Sequence, residues 1–276
     1  MLKTKQINNY KISKIHLPSI DEKVIKGGDL LPLYSNTFIC AKKNSGKTTV
    51  IFNLIRKCID RDTVVHMFVS TIEKDRSWLQ IVAYLKKKGI QYHAHMSIVD
   101  NNGNDLIRNI IDQPINFSDD DDGDDDDGHV KQKSYSFIRI NEQKQDNTTM
   151  RRKKRKLAQK QIIILDDIGN ELKKPSIDQL LKINRHLRSK VILSSQYLND
   201  LSPQARRQID IWLLFNGCKK EKLLTIMRDC DTHLDYHIFE QMYKFATDEK
   251  YNFLYIDCHN SKFRRNFNQE IDIPDG

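Results

Sequence analysis

The sequence has no apolar run near the roughly 18 residues that a membrane-spanning helix needs. Its longest is Ile211-Trp212-Leu213-Leu214-Phe215. The N-terminus, Met1-Leu2-Lys3-Thr4-Lys5, is basic but lacks the apolar core of a secretory signal. Cysteine is sparse: Cys40, Cys58, Cys218, Cys230 and Cys258 are odd in number, widely spaced and without a CxxC. That excludes a disulfide framework and a zinc ribbon, and it implies reduced thiols. Cys230-x-x-His233 finds no second cluster of matching spacing to complete a metal site. No internal repeat is present. These absences together predict a soluble intracellular chain with no membrane contact.

Charge is what the chain has in quantity. Lys and Arg number 46 against 37 Asp and Glu, a formal charge of +9, which suits a polyanionic partner such as nucleic acid. Residues 118–160 stand apart in composition. Asp119 to Asp122 and Asp124 to Asp127 form an acidic run, and Arg151 to Lys156 a basic one. Blocks of like charge repel and bury no apolar area, so this stretch reads as a disordered insertion. With eleven Lys/Arg against ten Asp/Glu it is nearly neutral, so the positive excess belongs to the folded part. The basic run also has the composition of a nuclear-import signal or a nucleic-acid tether.

The remainder alternates strand and helix, which predicts an α/β fold with a mainly parallel sheet and right-handed crossovers. Expected strands are 36–40, 63–70, 91–93, 161–165, 191–195, 211–215 and 251–257. Expected helices are 48–61, 78–87, 177–187, 221–229 and 236–245, with a helical turn at 203–208. A length of 276 residues is near the upper limit for one hydrophobic core. The division expected is a lead-in over 1–33, one domain over 34–257 interrupted by 118–160, and a tail over 258–276.

Between the first strand and its helix lies Ala41-Lys42-Lys43-Asn44-Ser45-Gly46-Lys47-Thr48-Thr49, of the form A-x4-G-K-T. In a loop of this type backbone N–H groups and the helix N-terminus surround a phosphate. Lys47 would bridge the β- and γ-phosphates, and the Thr48 hydroxyl would bind Mg²⁺. A lysine-rich surface turn is the alternative, disfavoured by the strand before it and the helix after. Downstream, Ile162-Ile163-Ile164-Leu165-Asp166-Asp167 is an apolar strand that delivers two carboxylates to the carboxyl edge of the sheet. Asp166 would hold the Mg²⁺ hydration shell and Asp167 would act as general base, or merely cap a turn. No NKxD guanine motif appears, so ATP is the expected nucleotide. Val191-Ile192-Leu193-Ser194-Ser195-Gln196 would place Gln196 beside the γ-phosphate as a sensor. In Ser202-Pro203-Gln204-Ala205-Arg206-Arg207-Gln208-Ile209-Asp210, one arginine could reach across a subunit boundary to a transferring phosphoryl group, or simply form a surface salt bridge.

These four motifs together resemble the viral DNA-packaging ATPases of the FtsK/HerA superfamily, in particular the branch of nucleocytoplasmic large DNA viruses, virophages and self-synthesising transposons. The resemblance covers about 30–117 and 161–257. It implies a P-loop NTPase fold of the ASCE, RecA-like kind and an ATPase that translocates double-stranded DNA into a capsid without reading sequence. It implies Lys47, Thr48 and Asp166 around ATP and Mg²⁺, Asp167 as the catalytic carboxylate, Gln196 as sensor, and Arg206, ahead of Arg207, as the arginine supplied in trans. It also implies a homo-oligomeric ring of five or six subunits, a capsid or portal partner, and a place in the host cytoplasm or the virion, with the nucleus open. Ala41 in place of glycine and Asp167 in place of glutamate depart from the pattern. Candidate DNA contacts are Lys86, Lys87, Lys88, Lys173, Lys174, Lys219, Lys220, Arg264 and Arg265. A non-translocating ATP switch, a DNA-binding loader and a small-molecule kinase remain the alternatives. DNA-stimulated hydrolysis separates the motor from all three.

Overall fold

The computed structural model describes residues 25–113 and 159–272. The acidic and basic runs between 118 and 158 lie outside the described residues, as does the lead-in before residue 25. Gln159 and Lys160, placed at the end of the expected insertion, belong to the folded body. Gln159 is buried, its carbonyl accepts from the Thr63 hydroxyl at 3.0 Å, and Lys160 N–H donates to the Arg188 carbonyl at 3.0 Å.

The strands are β1 (Asn36–Cys40), β2 (Val64–Val69), β3 (Tyr92–His95), β4 (Gln161–Asp166), β5 (Ser189–Ser195), β6 (Ile211–Phe215), β7 (Phe253–Asp257), β8 (Lys262–Arg265) and β9 (Gln269–Glu270). They form one sheet in the order β3-β2-β4-β5-β1-β6-β7-β8-β9. Pairing is parallel from β3 to β6 and antiparallel from β6 to β9. The sequence-based expectation of a mainly parallel sheet holds for the part that carries the motifs. The hairpin extension β8–β9 falls in the segment expected as a tail. Its strands are short and charged, and they are held by pairing rather than by an apolar pattern.

The helices are α1 (Lys47–Cys58), α2 (Arg76–Lys88), α3 (Leu106–Ile111), α4 (Pro175–Ile183), α5 (Pro203–Arg206), α6 (Lys220–Asp229) and α7 (Tyr236–Ala246). Successive strand residues face opposite sides of a sheet, so the apolar run of β4 supplies two cores at once. Ile162 and Ile164 join Ile51, Leu54 and Ile55 of α1 and Trp78, Ile81 and Leu85 of α2 on one face. Ile163 and Leu165 join α3, α4, α6 and α7 on the other. Each such aliphatic side chain contributes roughly 1.5–3 kcal/mol by leaving water. That is why the central strands read as unbroken Ile, Val and Leu.

Helix ends are fixed locally. The Asp75 side chain accepts from Ser77 N–H at 2.7 Å to start α2, and Gly89, with φ of 66°, ends it. At the β2–β3 edge His66 stacks on His93 with ring centroids 5.1 Å apart, and Phe68 stacks on His95 at 5.3 Å. His93 and His95 therefore share a face, as their i, i+2 spacing predicts.

Candidate active site

Because β4, β5 and β1 are adjacent and parallel, their carboxyl ends deliver three motifs to one edge of the sheet. β5 is the strand that lies between the phosphate-binding loop and the β4 carboxylates, while β2 lies beyond β4. After Cys40 the chain turns through exposed Lys42, Lys43 and Asn44 and enters α1 at Gly46. Gly46 has φ of 91°, which glycine alone adopts without strain. A Cβ there would stand 3.1 Å from Tyr251 Cδ1.

Lys47, at the first turn of α1, is buried. Its Nζ lies 3.1 Å from Asp166 Oδ1 and also pairs with Asp167. The lysine therefore bridges the loop to β4 across the end of β5. Asp166 is held from three sides: Lys47 is on Oδ1, the Ser194 hydroxyl donates to Oδ1, and Trp78 Nε1–H donates to Oδ2 at 3.1 Å. A carboxylate so surrounded keeps one orientation. Asp167 differs. Its side chain is about one-third exposed, and its backbone is left-handed with φ of 51°. Its carbonyl accepts from Ser70 Oγ at 3.1 Å and its N–H reaches the Ser194 carbonyl at 3.3 Å. The end of β2 and the end of β5 thus hold the strained residue in place, a pattern that gathers at functional sites.

Gln196 follows β5 directly, half-buried, with its carbonyl accepting from Lys222 Nζ at 2.7 Å. Thr48 is half-buried in the first turn of α1, and Thr49 is exposed. Lys42, Lys43, Asn44, Ser45, Gly46, Lys47, Thr48, Asp166, Asp167 and Gln196 are gathered on this edge.

Arg206 is not at this edge. It sits in α5 just before β6, and β6 runs parallel to β1, so α5 belongs to the opposite edge. The Arg206 Nε–H donates to Asp229 Oδ2 at 2.7 Å and an Nη1–H donates to the Leu201 carbonyl at 3.2 Å; both charged side chains are nearly buried. Arg207, beside it, is exposed. Among the suggested DNA contacts, Arg264 lies over the Tyr255 ring at 5.0 Å and Arg265 pairs with Asp248 and Glu249, whereas Lys86, Lys87, Lys88, Lys173, Lys219 and Lys220 are exposed.

Four further residues shape the site and escape a sequence reading. Trp78 and Ser194 orient Asp166, Lys222 holds Gln196, and Tyr251 lies against Gly46 with its ring more than half exposed and Lys250 Nζ 4.8 Å from its centroid.

The arrangement fits a nucleoside triphosphate with a divalent cation. The glycine conformation at Gly46 leaves the loop open to a close approach. Ser45 Oγ is buried without a hydrogen-bond partner in a loop otherwise rich in donors. A lysine already spans the two carboxylates that would share such a ligand.

Comparison with known proteins bears on the fold and the family resemblance. Residues 129–264 match the family model described as Poxvirus A32 protein, a span that includes Asp166, Asp167, Gln196 and Arg206. This match bears out the resemblance to viral DNA-packaging ATPases drawn from the motifs. No curated protein matches the chain. Among solved structures, the genome packaging NTPase B204 from Sulfolobus turreted icosahedral virus 2 in complex with ATP-gammaS is 15% identical. The match covers 84% of this chain and 96% of that one, with a TM-score of 0.50, and it supports the P-loop α/β fold. B204, the DNA-packaging ATPase from Sulfolobus Turreted Icosahedral Virus, is 17% identical over 84% of this chain and 96% of that one, with a TM-score of 0.49.

Proposed function

We propose that this chain, a relative of the poxvirus A32 proteins and with them one of the viral DNA-packaging ATPases, is an ATP-hydrolysing motor that moves double-stranded DNA into a capsid. The observation that carries the reading is the meeting of Lys47 with Asp166 and Asp167 at the carboxyl edge, with Gln196 on the strand between. Backbone N–H groups of the loop, Lys47 and the Ser45 hydroxyl bind the phosphates. Thr48 and Asp166 would hold Mg²⁺, which when bound supplies positive charge to the phosphate oxygens. Asp167, the exposed and locally strained carboxylate, takes the proton of the attacking water, and Gln196 orients that water.

Surroundings distinguish the two aspartates, since Lys47 pairs with both. Asp166 is also held by Trp78 and Ser194 and is buried, which suits a metal-linked acid. Asp167 has an open side, which suits a proton acceptor. The Tyr251 ring, exposed beside the loop, offers a face to the nucleobase.

The outward arginine is Arg207 in this reading, with Arg206 anchoring the turn from within. An arginine at the edge opposite its own phosphate loop can serve a neighbouring copy in a head-to-tail assembly; that the assembly closes as a ring of five or six subunits is taken from the family resemblance. The net charge of +9 supports non-sequence-specific contact with DNA phosphates. Exposed Lys173, Lys219 and Lys220 follow β4 and β6 in the chain, on the side of the sheet where those strands end.

The test is the ATPase rate with and without linear duplex DNA, measured across protein concentration on wild type, Lys47→Ala and Arg207→Ala. Stimulation by DNA, lost in both variants and partly regained when they are mixed, is the expected outcome. A wild-type rate indifferent to DNA and to concentration refutes the motor and leaves an ATP switch or a kinase.

A further inference from the structure

At the root of the phosphate loop lie two thiols that hydrolysis does not use. Cys40 is the last residue of β1, and Cys218 sits in the turn between β6 and α6. β1 and β6 are neighbours with Cys40 opposite Leu214, so the turn after β6 closes over the start of the loop. The turn is fastened in place. Cys218 N–H donates to the Tyr243 hydroxyl at 2.9 Å, which itself donates to the Phe215 carbonyl at 2.8 Å. Loop and turn already touch: a Cβ on Gly217 would stand 2.5 Å from Lys42 Cε.

Strand pairing and the fastened turn bring the two thiols into one corner, where each perturbs the other. Lys222 Nζ is 3.3 Å from Cys40 Sγ and 2.7 Å from the Gln196 carbonyl, so one ammonium links the thiol pair to the residue assigned to the water. Cys40 is buried and Cys218 half-buried, which leaves Cys218 as the sulfur that a small solute reaches. The hydrogen bond from Cys40 is the main cause that pulls the Cys218 thiol down to about 7, with Lys222, Tyr243 and Lys42 adding to it. Cys40 moves the other way, because it donates that bond and is buried. An ionised sulfur beside a protonated one is the arrangement that disulfide formation uses.

We propose that Cys40 and Cys218 are an oxidation site, forming a reversible disulfide with hydrogen peroxide as oxidant, and that this bond ties the phosphate loop to the β6–α6 turn and stops nucleotide turnover. The Cys218 sulfur attacks one peroxide oxygen; an S–O bond forms as the O–O bond breaks, and the departing hydroxide takes a proton from solvent to leave as water. The Cys40 sulfur then attacks the Cys218 sulfur. The S–S bond forms, the S–O bond breaks, and the second water leaves with the Cys40 proton. Each sulfur loses one electron and the peroxide gains two. A disulfide brings the two Cβ atoms to about 3.8 Å, which draws Cys40 away from Lys222 and alters what holds Gln196. The effect on turnover rests on the ATPase reading; the bond itself does not.

The 276-residue chain is treated with hydrogen peroxide, free thiols are alkylated, and a non-reducing digest is read by mass spectrometry. Hydrolysis and binding of a fluorescent ATP analogue are followed alongside. The expected result is a linked Cys40–Cys218 peptide pair and an ATPase rate lower by about a hundredfold, the scale of a misplaced catalytic group, restored by dithiothreitol. Cys218→Ser and Cys40→Ser should keep the untreated rate and resist peroxide. Cys230 and Cys258, a second thiol pair at the opposite edge, serve as the internal control. A digest that links Cys230 to Cys258 but not Cys40 to Cys218 overturns the proposal. So does a linked Cys40–Cys218 pair with unchanged binding and turnover. A reduced chain that neither binds nor hydrolyses ATP refutes the functional reading instead, and the linked peptide then still decides the chemistry of the pair.

Discussion

Replacing Arg206 by alanine separates an anchoring arginine from a catalytic one. Its guanidinium and the Asp229 carboxylate are 12% and 11% exposed and meet at 2.7 Å, so both are almost removed from water. Deleting one partner of such a pair strands the other, at a cost of about 3–5 kcal/mol. For a domain of this size each kcal/mol lowers the melting temperature by roughly 2–4 °C, so Arg206→Ala should melt about 10 °C below wild type. Asp229→Ala should fall by a similar amount. The double variant should recover part of the loss, because neither charge is then left alone. Arg207→Ala, on an exposed side chain, should stay within about 0.5 kcal/mol of wild type while losing DNA-stimulated hydrolysis. Thermal melts of all four proteins, paired with ATPase assays, decide the matter. An Arg206→Ala protein as stable as wild type and inactive would refute the anchoring role and return the trans position to Arg206.

Tyr251→Ala should weaken ATP binding by about tenfold, since an aromatic face under a base contributes roughly 1–3 kcal/mol; calorimetry should find Tyr251→Phe unchanged, and equal affinities for all three refute a base platform. Trp78→Phe removes the indole N–H from Asp166 and should raise the Mg²⁺ concentration needed for half-maximal hydrolysis, which an Mg²⁺ titration reads directly, with some loss of stability because the indole is fully buried. His66 should make the fold acid-sensitive. Burial, helped by His93 and His95, lowers its pKa from 6.5 to about 4. Between those values the unfolded chain takes up a proton that the folded chain refuses, so stability is full above pH 6.5 and declines toward pH 4. The loss is about 3 kcal/mol, and urea unfolding at pH 7 and pH 4.5 should show it in wild type but not in His66→Phe.

The site divides by how locally it is written. The loop 41–49 and the strand ending in Asp166 and Asp167 are contiguous, and a strand that ends in polar groups must present them at its carboxyl edge; these were legible from residues alone. Trp78 was not, because an indole on the apolar stripe of α2 looks like any core residue until β4 is set beneath it. Lys222 and Tyr251 arrive from 26 residues after Gln196 and from the turn before β7, and no local pattern announces either. Arg206 and Arg207 are alike as sequence. Asp229, 23 positions on, tells them apart, and α6 must fold back across the sheet to bring it there. The hairpin β8–β9 stayed hidden because Lys262-Phe263-Arg264-Arg265 carries one apolar residue, and pairing with β7 does the rest.

The flanking position of β5 has a mechanical consequence. The loop strand and the carboxylate strand are both stitched to β5 by parallel ladders, Phe38 to Leu193 on one side and Leu165 to Leu193 on the other. The distance between Lys47 and the carboxylates is therefore set by two rows of backbone hydrogen bonds, and shearing it means breaking the centre of the sheet. A chemical event at this edge has to be expressed by what sits on the plate rather than by the plate itself: the Lys222 contact, the β6–α6 turn and the exposed lysines of the rim. The sheet works as an anvil, and any stroke is delivered by its attachments.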